Sequence, residues 1–280
     1  MDLTLLELCK TVILGIVEGL TEWLPISSTG HMILVDEFIT LDVSKAFMDM
    51  FLVVIQLGAI LVVVVLHFER LNPFSAWKSR QEKRQTFALW KKVMLASMPA
   101  AVVGLLANKY MEAHFMNAPV VAFTLILYGI LFILVEKYNA KRTPRVTDLV
   151  KLDYRTALVI GFFQVLALVP GTSRSGATIL GGILFGASRL VATEFTFFLA
   201  IPVMFGASLL KMVKFGWYYS GAEVAILVVG LGTAFIVSIL SIKFLLQYIK
   251  ANDFKAFGWY RIALGALVLA YLFFVGDPTQ

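Results

Sequence analysis

The sequence predicts an all-α polytopic membrane protein with an inverted-topology repeat, each half of which holds one re-entrant helical hairpin and three transmembrane helices. Of the 280 residues, 60% are hydrophobic and only 15% are charged, and the mean hydropathy is +0.86. These values are typical of proteins that cross a bilayer several times. In addition, two short apolar stretches are broken by proline, glycine and hydroxyl residues, and basic residues gather between the apolar segments.

The composition also excludes several classes of function. A single cysteine, Cys9, allows no intramolecular disulfide and leaves no Cys/His cluster with zinc spacing. The chain starts with Asp2 and Glu7 ahead of Lys10, which argues against a cleaved signal peptide. The net charge of +6 resides mainly in short connections. We therefore interpret it as a topology signal and predict no nucleic-acid partner.

In each half, the apolar segments predict one hairpin followed by three spans. Residues 3–24 form an apolar segment, and residues 28–39 form a second apolar segment that is too short to cross a bilayer. We therefore expect the two segments together to form a re-entrant hairpin. The spans predicted after it are residues 47–68, 93–109 and 118–137. The second half repeats this order, with a hairpin predicted from 156–169 and 174–188 and spans from 193–213, 222–248 and 257–275.

A shift of 146 positions, the separation of Ser27 and Ser173, aligns the two halves. Other residues that this shift pairs are Gly15 with Gly161, Leu20 with Leu166, Glu18 with Gln164 and Gly30 with Gly176. We interpret the alignment as an internal repeat in a single membrane domain, 1–280, with copies at about 1–138 and 155–276. Because each copy has three spans, the copies must enter the membrane from opposite sides. Chance similarity of two apolar stretches is the alternative interpretation.

The distribution of lysine and arginine predicts the orientation independently. Three connections hold 7, 5 and 2 of these residues, namely 69–92, 139–155 and 249–256. Those on the opposite side hold 1, 1 and 2, namely 36–46, 109–117 and 211–221. Since basic connections face the cytoplasm, both termini are expected outside, with the first hairpin entering from outside and the second from the cytoplasm.

The first break, from Glu18 to His31, places ionisable groups inside an apolar segment, where they are expensive and indicate a functional site. Glu18 and Glu22 are four residues apart and share one helix face, which Pro25 ends. Ser27 and His31 have the same spacing, so the imidazole could activate the hydroxyl or itself attack phosphorus. Glu22 could orient the imidazole, act as a general base, or join Glu18 in binding a divalent cation, Mg²⁺ or Ca²⁺. The alternative is that His31 only packs against its neighbours and has no catalytic role.

The second break carries Arg174, the only arginine that we expect deep in the membrane. An arginine there costs ~2.5–3.5 kcal/mol on insertion scales, so it requires an anionic partner, either Glu18 or Glu22 or a substrate phosphate. Both breaks begin helices, whose unpaired N–H groups and dipoles favour phosphate. The hydroxyls of Ser173, Ser175 and Thr178 could also donate hydrogen bonds to a phosphate. The alternative is that the serines at these helix starts are ordinary N-caps.

The two breaks resemble the two motifs of the bacterial undecaprenyl-diphosphate phosphatase family, also called the bacitracin-resistance protein family. The first motif matches Glu18 and Glu22 and continues through Pro25, Ser27, Ser28, Thr29, Gly30 and His31. The second, Pro-Gly-x-Ser-Arg-Ser-x-x-Thr, matches Pro170, Gly171, Ser173, Arg174, Ser175 and Thr178. The resemblance implies a dimeric plasma-membrane hydrolase that recycles the lipid carrier of cell-wall synthesis and confers bacitracin resistance. It also implies a site that opens to the outer face, with Glu18, Glu22, His31 and Arg174 as its core.

The residues and the resemblance together predict a polyprenyl-diphosphate phosphatase without an organic cofactor. Ser27 is the predicted nucleophile, Glu22 and His31 the acid–base pair and Arg174 the fourth catalytic residue, with His31 as the alternative nucleophile. The predicted substrate-binding residues are Glu18, Ser28, Thr29, Gln164, Ser173, Ser175 and Thr178. The alternative function is a transporter or flippase for a phosphorylated lipid or small anion, because broken helices and inverted repeats are also features of transporters.

Overall fold

The computed structural model describes residues 4–36 and 38–275, which form eleven α-helices. Their bounds are α1 Leu5–Thr21, α2 Ser28–Asp36, α3 Lys45–Leu66, α4 Phe68–Leu71, α5 Arg80–Phe115, α6 Ala118–Asn139, α7 Tyr154–Leu166, α8 Arg174–Leu184, α9 Arg189–Phe215, α10 Gly221–Ala251 and α11 Lys255–Val275. These residues include no β-strand, only one isolated bridge between Val146 and Ala187. The prediction of an all-α protein is confirmed.

Six of the described helices are long and apolar enough to cross a membrane, and they correspond to the six predicted spans. They are α3, α5 over Arg80–Ala107, α6, α9, α10 and α11 over Lys255–Phe274. One boundary differs, because α5 begins at Arg80, inside the stretch 69–92 that was predicted to be a connection. The reason is local: Ser79 and Glu82 form a capping box, in which each side chain accepts a hydrogen bond from the other's backbone N–H.

Besides the four-residue α4, four described helices are shorter than the roughly 20 residues that a span requires, and these four form two packed pairs. In the first pair, α1 packs against α2, and the chain reverses between them through Pro25. In the second pair, α7 packs against α8, and the chain reverses through Pro170 and Gly171. The two breaks therefore lie in the turns of two short helical hairpins.

Each hairpin packs against a long helix from the other half of the chain, α1 against α10 and α7 against α5. Glycines permit both close approaches. A Cβ atom at Gly15 would lie 2.7 Å from the Cβ of Thr233, and one at Gly161 would lie 2.3 Å from the carbonyl oxygen of Ala96. Contacts of α3 with α9 and of α6 with α11 complete the link between the halves. This interlocking brings the two hairpin turns together.

Candidate active site

Both hairpin turns pass through a serine with a left-handed backbone. Ser27 has φ +77° and Ser173 has φ +72°, and no other non-glycine residue in the described part of the chain has positive φ. Each serine Oγ accepts a hydrogen bond from the N–H three residues later, at 3.2 Å from Gly30 and 3.1 Å from Gly176. Such backbone conformations cost of order 1–3 kcal/mol and persist only where the surroundings fix them, often at ligand sites.

A cavity of about 180 Å³ lies between the two turns. Its polar lining consists of Glu22, Ser28, Thr29, Gln56, Ser173 and Arg174. Its apolar lining includes Val203, Met204 and Ala207 from α9. The cavity therefore offers a charged and hydroxylated side, supplied mainly by the two hairpins, together with a hydrocarbon side.

Glu22 connects the two turns. Its carboxylate forms a salt bridge of 2.9 Å with the Arg174 guanidinium and accepts a 2.6 Å hydrogen bond from the Ser28 hydroxyl. Arg174 also donates to the carbonyl of Thr196 at 3.0 Å and lies over the ring of Trp23. The Nε of Arg174 is buried without a partner, so this donor is not used by the protein. Of the two carboxylates predicted as partners of Arg174, Glu22 makes the ion pair.

The hydroxyl of Ser175 fastens the second turn to the first. It lies 3.3 Å from the carbonyl oxygens of Glu22 and Leu24, to which it donates, and 3.1 Å from the Oγ of Ser173. Ser175 is buried and does not line the cavity. These contacts indicate that Ser175 holds the site together.

Thr178 lies one helical turn after Arg174 and is fully buried. Its hydroxyl donates to the carbonyl of Arg174 at 2.8 Å and accepts a 2.8 Å hydrogen bond from Thr196. Because Thr196 also offers its carbonyl to the Arg174 guanidinium, α9 supports both the backbone and the side chain of this arginine.

Glu18 and Gln164, which the repeat aligns, are both buried, and neither side chain has a hydrogen-bond partner. The Glu18 carboxylate interacts electrostatically with Glu22 and Arg174. Buried polar groups in native proteins almost always find partners, so unpartnered ones call for a functional explanation. Two interacting carboxylates, of which Glu22 lines the cavity, form a donor set suited to a hard divalent cation.

The imidazole of His31 contacts the carbonyl of Ser27, and not the hydroxyl as the spacing predicted. Its Nδ1 lies 2.7 Å from that carbonyl oxygen, and its Nε2 lies 2.6 Å from the hydroxyl of Tyr260. Since a carbonyl only accepts, the hydrogen-bond network assigns the proton to Nδ1 and leaves the Nε2 lone pair for Tyr260. Neither Ser27 nor His31 lines the cavity.

Two polar residues that contact the site, Tyr260 and Arg261, were missed by sequence reasoning. Gln56 lines the cavity although it was not among the predicted site residues. Gln56 and Arg261 each interrupt an apolar span, which is the signal that could have revealed them, whereas Tyr260 lies near the start of α11 and carries no such signal. Arg261 is completely buried on α11 and donates to carbonyls in both turns. The prediction that Arg174 is the only arginine in the interior of the membrane domain is therefore wrong.

The chain is similar to a known protein family and to several named relatives. Residues 11–267 match the family model described as bacitracin resistance protein BacA. The undecaprenyl-diphosphatase of Enterococcus faecalis is 60% identical over 271 residues, which cover 96% of this chain and 98% of the relative. That of Lactiplantibacillus plantarum is 62% identical over 270 residues, covering 95% and 98%. That of Desulfitobacterium hafniense is 59% identical over 270 residues, covering 96% and 97%. The chain belongs to the bacitracin resistance protein BacA family.

Proposed function

We propose that this protein hydrolyses undecaprenyl diphosphate to undecaprenyl phosphate and inorganic phosphate. In the bacterial plasma membrane this reaction recycles the lipid carrier for cell-wall synthesis and confers resistance to bacitracin. The names of the relatives support this substrate. The observation that carries the proposal is the Arg174–Glu22 pair at a cavity between two serine-led helix starts.

The diphosphate occupies the polar side of the cavity, where Arg174 is its main cationic ligand. A guanidinium binds phosphate oxygens through a planar fork, and preorganised donors stabilise the charge that develops during phosphoryl transfer. Hydroxyls of Ser28, Thr29 and Ser173 line the same space. The prenyl chain leaves past the apolar α9 side into lipid. Glu18, Gln164, Ser175 and Thr178 complete the predicted substrate-binding set from positions that do not line the cavity.

The nucleophile is a serine of the first turn. Spacing favours Ser27, whereas the contacts favour Ser28, because the Ser28 hydroxyl lines the cavity and donates to the Glu22 carboxylate at 2.6 Å. A carboxylate in this position can act as a general base and take the proton of the hydroxyl as its oxygen attacks the terminal phosphorus. The P–O bond to undecaprenyl phosphate breaks in this step, and water then hydrolyses the phosphoserine to release inorganic phosphate. For Ser27 to attack, the His31 ring must leave the Ser27 carbonyl. His31 then serves as the acid–base partner, and it remains the alternative nucleophile.

A divalent cation, Mg²⁺ or Ca²⁺, is part of the proposal. The oxygens of Glu18 are buried and unpartnered next to Glu22, and one or two carboxylates with substrate phosphates are a common way to hold Mg²⁺. Such an ion neutralises charge on phosphate oxygens. Within the described residues, no group of three or more His, Cys, Asp or Glu side chains could hold a metal ion, so substrate oxygens would complete the shell.

The finer topology is also a proposal: two inverted repeats, whose hairpins enter the membrane from opposite sides, in a homodimer whose active sites open to the outer face. The matching serine turns and the matching glycine contacts at Gly15 and Gly161 support the repeat. The excess of 14 basic residues over 4 in the two sets of predicted connections supports the orientation, although α5 includes five of the 14. The prediction that both termini face outward concerns residues 1–3 and 276–280, which lie outside the described residues.

Cysteine labelling tests this orientation. Residue Glu82 is exposed near the start of α5, on the side predicted to be cytoplasmic, and Cys9 is the only native cysteine. A Glu82→Cys variant in a Cys9→Ser background should react with a membrane-impermeant maleimide only after the cells are permeabilised. Labelling of intact cells would contradict the inverted orientation.

The function itself is tested by phosphate release from undecaprenyl diphosphate, using purified protein in detergent. Wild type should release phosphate, and Glu22→Gln should lose this activity while Glu82→Gln, which changes an exposed carboxylate outside the site, should keep it. Chelation of divalent cations should lower the rate, and added Mg²⁺ or Ca²⁺ should restore it. A wild-type protein that releases no phosphate would contradict the proposal and favour a transporter of phosphorylated lipids.

A further inference from the structure

Arg261 contacts both hairpin turns from α11, a helix that belongs to neither hairpin. Its guanidinium donates to the carbonyl of Pro25 at 3.1 Å in the first turn. In the second turn it donates to the carbonyls of Gly171 at 2.7 Å and Thr172 at 2.9 Å. The side chain is completely buried. One planar group thus ties the two turns to each other.

The charge of Arg261 is not balanced by a counter-ion in the part of the chain that the structure describes. Among the residues that the structure describes, no carboxylate forms a salt bridge with it, although its guanidinium lies 5.7 Å from the centre of the Tyr128 ring. A buried cation without an anionic partner is costly to fold. The three carbonyls explain the geometry of the side chain. A diphosphate in the neighbouring cavity would supply the missing negative charge.

The carbonyls that accept hydrogen bonds from Arg261 belong to residues one or two positions before Ser27 and Ser173, the two serines with positive φ. Pro25 precedes Ser27 by two residues, and Thr172 immediately precedes Ser173. A trans peptide points its N–H away from its carbonyl, so fixing the Thr172 carbonyl on Arg261 directs the Ser173 N–H away from the guanidinium. Ser173 lines the cavity. Arg261 therefore fixes the orientation of the Ser173 N–H, a backbone donor in a residue that lines the cavity.

Residues of α6 and α8 pack against the second turn near Arg261 and restrict the conformation of its backbone. Gly171 has φ +85°, and a Cβ there would lie only 2.0 Å from the Oγ1 of Thr124. Thr124 itself donates to the carbonyl of Pro170 at 2.7 Å. A Cβ at Gly176, in the first turn of α8, would lie 3.3 Å from a terminal nitrogen of Arg261. The turn is thus held between α6 and α11, and Arg261 extends this support to the first turn.

We propose that Arg261 is a positioning residue for the phosphatase site. It holds the two serine turns in the one register in which donors from both can reach the same diphosphate, without itself being required to touch the reacting phosphorus. This inference rests on the proposed function. It assigns to α11 a positioning role distinct from the role of Arg174, which forms the ion pair at the cavity.

The test compares Arg261→Lys and Arg261→Gln with Arg189→Lys. Arg189 is a suitable control because it binds the fully buried Glu136 at 2.9 Å and makes no hydrogen bond to either turn within the described residues. The measurements are kcat and KM for phosphate release from undecaprenyl diphosphate, and the melting temperature of monodisperse protein. Because a lysine cannot bind three carbonyls in one plane, Arg261→Lys should lower kcat by about 100-fold, the typical cost of a misplacement near 1 Å. KM should change little, and Arg189→Lys should affect the melting temperature without affecting kcat.

A double-mutant cycle shows whether Arg261 acts through the second turn. If it does, Arg261→Lys combined with Ser173→Ala should lose no more activity than the more damaging single variant, because both disturb one unit. Independent, multiplying losses would overturn the proposal, as would normal kcat in a folded Arg261→Lys or Arg261→Gln variant. Failure of both variants to fold, beside a folded Arg189→Lys control, would assign Arg261 to stability and also overturn it. A wild type without phosphate release would instead contradict the proposed function.

Discussion

The two hairpin turns have a similar backbone conformation at their serines but differ in the charges of their side chains. Both use a serine with left-handed φ that accepts from the N–H of a glycine three residues later. The first turn follows two glutamates and precedes His31, whereas the second follows Gln164 and precedes Arg174. One backbone design thus builds two helix starts suited to anions. A few side-chain differences give the first turn acid–base groups and the second turn the cation.

The two turns also differ in the residues that they contact. The first turn receives the Ser175 hydroxyl from the second, and the Glu22 carboxylate reaches back to Arg174. Helix α11 touches both, through Tyr260 on His31 and through Arg261 on the backbone. Neither turn is therefore a complete site. The comparison predicts that substitutions which separate or neutralise the two turns will reduce turnover more than they reduce folding.

The largest effect should come from the nucleophile, which we place in the first turn. Ser28→Ala should lower kcat by at least about 1000-fold, since removal of one member of a catalytic unit removes nearly the whole effect. Ser175→Ala, the hydroxyl of the second turn, should retain more activity. Mass spectrometry of protein quenched during turnover identifies the phosphorylated residue. Phosphoserine at Ser27, or phosphohistidine at His31, would reverse the choice of Ser28.

Arg174→Lys should have the next largest effect. Lysine preserves the charge that neutralises Glu22 but not the fork that binds two phosphate oxygens. Loss of one preorganised donor typically lowers turnover by about 100- to 1000-fold. The loss should appear in kcat, measured with saturating substrate and monodisperse protein, whereas Arg189→Lys should remain active. Near-normal turnover of Arg174→Lys would make Arg174 a structural counter-ion only.

A third prediction concerns the packing that joins the halves. Gly161→Ala places a Cβ 2.3 Å from the carbonyl oxygen of Ala96, so α7 and α5 must move apart. Overpacking of this kind costs about 1–3 kcal/mol, and the melting temperature in detergent should fall. Gly206→Ala is the matched control, because a Cβ there has nothing within 4 Å. Equal melting temperatures for the two variants would show that the α5–α7 contact adapts freely.

The smallest effect is expected at Tyr260, which binds His31 from outside the two turns. Tyr260→Phe removes a hydrogen bond that contributes about 0.5–1.5 kcal/mol, so kcat should fall by up to about tenfold. Tyr218→Phe is the control, since Tyr218 is 97% exposed. An unchanged kcat and pH profile in Tyr260→Phe would show that the imidazole needs no support from α11.

The sequence alone determined the helical class, the six spans and the two breaks. Long apolar runs leave few alternatives, because a backbone in lipid must satisfy its own hydrogen bonds. The breaks were recognisable because proline, glycine and ionisable residues are conspicuous in such runs. The cost of ionisable residues inside apolar segments also placed Glu22 and Arg174 among the candidates. The sequence could not show which of Glu18 and Glu22 forms the ion pair, because both lie on the same helix face, Glu18 within α1 and Glu22 at its C-cap.

Tertiary structure alone decided the contacts between segments distant in sequence. Arg261 lies 236 residues after Pro25, and Tyr260 lies 229 residues after His31, so no local pattern links them. The spacing of Ser27 and His31 predicted a contact, but a left-handed turn at Ser27 directs its hydroxyl to Gly30 and leaves its carbonyl for the imidazole. Periodicity assumes a regular helix, and the chemistry of this protein lies where the helices stop. There the backbone conformation is set by what packs against it.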